Sequence, residues 1–70
     1  MTEIIFVVVE SDDGGYTAQS PGAAIVTEAD TVPELHAMVR DVVHCYFEED
    51  DLDRPKLIRL HFVRDEVIAA

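Results

Sequence analysis

Six consecutive apolar residues, Ile4-Ile5-Phe6-Val7-Val8-Val9, constrain this chain more than any other feature. Glu3 and Glu10 bound the run, and the turn cluster Ser11-Asp12-Asp13-Gly14-Gly15 follows directly. A short β-branched run closed off in this way predicts a strand rather than a helix. Side chains alternate across a strand, so Ile4, Phe6 and Val8 face one side and Ile5, Val7 and Val9 the other. Both faces are apolar. Such a strand belongs inside a sheet, with a helix on one face and something else on the other. A chain of 70 residues has little left to cover the second face. The expectation is that another subunit covers Ile5, Val7 and Val9.

Size points the same way. Seventy residues predict a single domain over residues 1–70. A domain this small buries only about 60% of its unfolded surface and usually needs a disulfide, a metal or a partner subunit. Cys45 is the only cysteine, so no internal disulfide forms and a cytoplasmic setting is expected. No metal-ligand cluster stands out, and no cofactor is expected. Homo-oligomerisation, as a dimer or tetramer, is the remaining aid. The N-terminus lacks the basic region and long apolar core of a signal peptide, and no stretch approaches the ~20 apolar residues of a membrane span.

Charge narrows the partners. Fifteen acidic residues stand against five basic ones, a formal net charge of −10. That surface repels phosphate backbones, so direct nucleic-acid binding is not expected. It attracts basic partners over long range at low salt.

Along the chain, Asp12-Asp13-Gly14-Gly15 predicts a tight hairpin, with glycine free to take positive φ. Tyr16 to Ser20 reads as a second strand, stopped by Pro21-Gly22, and Ala23 to Thr27 as a short third. Thr31-Val32-Pro33-Glu34 fits a capping box and opens a helix that ends near Phe47 or Glu48. Leu35, Met38, Val39, Val42, Val43 and Tyr46 form its apolar stripe, and His36, Arg40, Asp41 and His44 fall toward the other side. The acidic run Glu48 to Asp53 and then Arg54-Pro55 break the helix. Lys56 to Arg64 alternates as a half-buried strand, with Ile58, Leu60 and Phe62 pointing one way. The remainder, Asp65 to Ala70, reads as a short extended tail. The predicted fold class is α+β, in the order β-β-β-α-β. A three-stranded meander and a crossover helix place the last strand parallel to the first, giving a four-stranded mixed sheet of order 3-2-1-4 with the helix on one face.

Chemistry-bearing arrangements are sparse. His44 and Cys45 are helix neighbours that point about 100° apart, which is not a nucleophile–base pair, and Cys45 is expected to be buried or half-buried. His36 and His44 are more than two turns apart. The Asp50 to Asp53 run lacks the spacing of a calcium loop, and no lysine or helix follows Gly14-Gly15 as a phosphate loop requires. Catalytic and metal sites are therefore not predicted, and the chain does not read as an enzyme.

In order and spacing, Asp13-Gly14-Gly15-Tyr16, then Ser20-Pro21-Gly22, then Ala29-Asp30-Thr31-Val32-Pro33-Glu34-Leu35 resemble the HicB-like antitoxin domain. The likeness covers roughly residues 4 to 47, with Ala29 standing where the family often has glycine. The resemblance implies a degenerate ribonuclease-H-like fold without catalysis, and a type II antitoxin that occludes a small basic RNA-cleaving toxin of the HicA type. Many members add a C-terminal DNA-binding domain; this chain resembles the short, stand-alone ones. For such a toxin, the exposed acidic positions Glu10, Asp12, Asp13 and Glu28, with Tyr16 beside the hairpin, are the expected contacts. The alternative is a stand-alone homo-oligomer, structural or regulatory, without a toxin.

Overall fold

The computed structural model describes residues 2–70; Met1 lies outside the described residues. The elements are β1 (Glu3–Glu10), β2 (Tyr16–Ser20), β3 (Ile25–Ala29), α1 (Val32–Tyr46) and β4 (Leu57–Val63). The sheet runs β3-β2-β1-β4, as expected from the meander and crossover. β1 pairs antiparallel with β2 and parallel with β4, with Val8 opposite both Ala18 and Phe62. β2 and β3 pair antiparallel, with Ala18 opposite Thr27.

The hairpin after β1 is closed by its own polar groups. Gly14 takes φ +90°, the Ser11 amide donates to the Gly15 carbonyl at 2.7 Å, and the Gly15 amide donates to Asp13 Oδ1 at 3.2 Å. Asp13 thus holds the turn through a side-chain bond that mimics backbone. The third strand starts later than the sequence suggests. Ala24 adopts φ +56°, so Ala23 and Ala24 belong to the turn after β2, and pairing begins at Ile25.

Thr31 caps α1 from an extended conformation. Its Oγ1 accepts the Glu34 amide at 3.2 Å, and Pro33 sits in the first turn, where a missing N–H is harmless. The reciprocal bond of a full capping box is not formed among the described residues, and Glu34 turns to other surroundings, as shown below. The core is made by Ile4, Phe6 and Val8 of β1, Ala18, Ile25 and Ala29 of the flanking strands, and Leu35, Val39, Val43 and Phe47. Leu35 and Phe6 are fully buried. Truncating either to alanine in a domain of this size removes about 2–5 kcal/mol, a large share of its stability.

The position of α1 corrects three side-chain expectations. The helix lies nearest β3 and β2. One ridge of residues four apart suffices for that contact, so Met38 and Tyr46 are exposed although the sequence places them on the apolar stripe. Cys45 is exposed, neither buried nor half-buried, because it lies about 200° around the helix from Val43. Phe62, expected to be covered with Ile58 and Leu60, is 47% exposed because no helix lies over the end of β4.

Candidate functional site

Three surfaces come out of this arrangement. The first is an acidic cleft of about 300 Å³ where the 11–16 hairpin meets the β3–α1 connection. Tyr16 forms its aromatic wall, and Asp13, Glu28, Asp30 and Glu34 contribute four carboxylates and no basic group. The topology makes it. Tyr16 is the register partner of Ala29, which brings the end of the hairpin beside the start of the helix. Such a cleft suits a guanidinium or ammonium group, which the carboxylates neutralise and the tyrosine ring faces.

Of the residues singled out by charge, Asp13, Tyr16 and Glu28 line this cleft. Glu10 and Asp12 are exposed outside it. Asp30 and Glu34, at the start of the helix, complete the cleft. Only the β2–β3 register could have located them.

The second surface is the sheet face opposite α1. Ile5 and Val9 are 48% and 47% exposed, and Val7 is half-buried. The pairing sets Val63 beside Val9, and Gln19 and His61 on either side of Val7. Val26 and Leu57 extend the exposed apolar area. A shallow depression of about 450 Å³ reaches from Ile5 and Val7 to the turn at Pro21 and Gly22. Toward the β1–β4 edge Arg59 donates through Nε and Nη2 to the Glu3 carboxylate, the second bond at 3.3 Å. The Arg59 hydrogen bond, helped by charge attraction and opposed by partial burial, holds the Glu3 carboxyl below its ordinary pKa. The same bond raises that of Arg59.

The third surface is a groove of about 490 Å³ between α1 and β4. His36, Arg40 and His44 form one wall, Leu60 and Phe62 lie on the other, and Lys56 sits among its lining residues. The helix residues expected simply to face solvent therefore overlook an apolar strand.

Among the described residues no group of three or more His, Cys, Asp or Glu side chains is placed to hold a metal ion. Among them, too, no helix is long and apolar enough to cross a membrane.

Fold and surfaces together define a small β-β-β-α-β domain with three surface depressions, one acidic, one apolar and one basic. A UPF0150 protein of Thermotoga maritima is 43% identical to this chain over 67 residues, covering 96% of this chain and 91% of that protein. A UPF0150 protein of Archaeoglobus fulgidus is 52% identical over 54 residues, 77% of each chain. The chain belongs to the UPF0150 family. No protein-family model matches it, and no solved structure does.

Proposed function

We propose that this protein is a non-catalytic, HicB-like antitoxin that neutralises a small basic RNA-cleaving toxin of the HicA type by occlusion, in the cytoplasm and without touching nucleic acid itself. The observation that carries the reading is the acidic cleft, where four carboxylates surround Tyr16 with no basic residue among them. An RNA-cleaving protein presents arginines and lysines to phosphates. A carboxylate cleft competes for those groups, and the net charge of −10 speeds the encounter. The hairpin bonds of Asp13 and the cap at Thr31 preorganise the cleft, which lowers the entropy lost on binding.

A second reading is a stand-alone homo-oligomer, and the open sheet face with Ile5, Val7 and Val9 favours it. One experiment separates the two. The tagged protein is recovered from its native cell at low salt, and co-purifying proteins are assayed for RNA cleavage after high-salt release. A small basic ribonuclease, inhibited again when the chain is added back, supports the antitoxin. Recovery of this chain alone, at an oligomeric mass, supports the stand-alone module.

A further inference from the structure

We propose that the groove between α1 and β4 receives residues 65–70 of a second copy of this chain. This inference goes beyond the antitoxin reading and does not depend on it.

The groove is a basic exception in an acidic molecule. The chain has five Lys and Arg residues, and two of them, Arg40 and Lys56, line it, together with His36 and His44. Among the described residues neither Arg40 nor Lys56 is in an ion pair. Its floor is apolar, with Leu60 and Phe62 from β4. An occupant must therefore be acidic and apolar at once.

Residues 65–70, Asp-Glu-Val-Ile-Ala-Ala, have that composition. They lie outside the helix and strands and are exposed throughout, Val67 at 95% and Ile68 at 79%. The molecule measures 53 × 19 × 17 Å, and its radius of gyration is 13.6 Å against about 11 Å for a compact domain of this length. An eight-residue strand spans only about 27 Å, so chain outside the sheet lengthens the molecule.

Two features favour a partner's tail over the chain's own. The groove lies behind the point where the tail leaves β4, so an intramolecular dock needs a tight reversal through Val63-Arg64-Asp65-Glu66. That stretch has no glycine, proline or asparagine to make one. In addition, β4 is an edge strand with its outer backbone groups open to an incoming extended segment. Side chains alternate along such a segment, so the groove side receives either Asp65 with Val67 or Glu66 with Ile68. Each set pairs one carboxylate for Arg40 or Lys56 with one apolar group for Leu60 and Phe62. Reciprocal exchange closes a two-fold dimer.

The test uses the full chain. Isotope-labelled and unlabelled protein are mixed, and isotope-filtered NOE spectra record contacts between chains only. The expected result is cross-peaks from the Val67 and Ile68 methyls of one chain to the Phe62 ring of the other. Absence of any such interchain cross-peak, or random-coil shifts throughout 65–70, overturns the proposal. Charge exchange supplies a second measurement. Arg40→Glu should weaken self-association by about tenfold, and combining it with Asp65→Lys and Glu66→Lys should restore most of the loss. No restoration counts against the pairing. Arg40 is exposed and outside the core, so the variants fold.

Discussion

The ring of Phe62 meets the ring of Tyr16 edge-on, at 90° with centroids 6.3 Å apart. The two belong to β4 and β2, with β1 between them, so the contact spans the central strand. It also joins two surfaces, because Tyr16 lines the acidic cleft and Phe62 the groove. A double-mutant cycle with Tyr16→Leu and Phe62→Leu, followed by urea unfolding, should give a coupling of about 0.5–1.5 kcal/mol. Additive effects would contradict an interaction between the rings.

The turn after β2 carries backbone strain at one position. Ala24 sits at φ +56°, a conformation that costs a residue with Cβ about 1–2 kcal/mol. Glycine removes that cost and gives part of it back as unfolded-state entropy. Ala24→Gly should therefore raise stability by about 0.5–1 kcal/mol. The reverse change at Gly14, φ +90° with open space around it, should lower stability. Thermal unfolding of both variants tests the pair, and destabilisation by Ala24→Gly would sink this reading.

The Glu3–Arg59 pair makes a pH-dependent contribution with a fixed sign. The folded carboxyl of Glu3 lies below its unfolded value. Its stabilisation is fully present above the unfolded value of about 4.3 and is lost as pH falls through the lower folded value. The Arg59 side chain is 64% exposed, so the effect at neutral pH is small and screened by salt. The stability gap between the wild-type protein and Arg59→Met should shrink on acidification. A gap that widens would contradict the sign.

The open sheet face predicts its own response. Val7→Glu should break any contact through this face, leaving nothing larger than the tail-exchanged dimer, or give insoluble protein, because the charge falls between Ile5 and Val9 on a face that a second copy would cover. Light scattering decides it. A soluble oligomer of unchanged mass would place the subunit contact elsewhere.

How much of this was legible depended on whether local pattern or distant geometry carried the information. The six-residue run announced an interior strand with two apolar faces, and Tyr16–Ser20 was bounded by glycines and a proline that the structure uses as stops. The start of β3 was not legible, since Ala23 and Ala24 carry no mark that one of them turns left-handed. The exposure of Phe62, Met38 and Cys45 followed from where α1 sits across the sheet, which periodicity does not encode. The cleft was half legible. Charge and loop position pointed to Asp13, Tyr16 and Glu28, but Asp30 and Glu34 joined them only through the Tyr16–Ala29 register. The groove needed both α1 and β4 in place and had no signature in either segment.

The central claim is that the acidic cleft occludes a basic ribonuclease, and the most direct measurement compares inhibition by variants of matched charge. Glu28→Gln lies in the cleft and Asp12→Asn outside it, and each removes one negative charge. Inhibition of RNA cleavage by the co-purified basic protein should weaken about tenfold or more for Glu28→Gln and by less than about threefold for Asp12→Asn. Equal effects would mean that net charge alone acts, and undiminished inhibition by Glu28→Gln would contradict the cleft as the binding site.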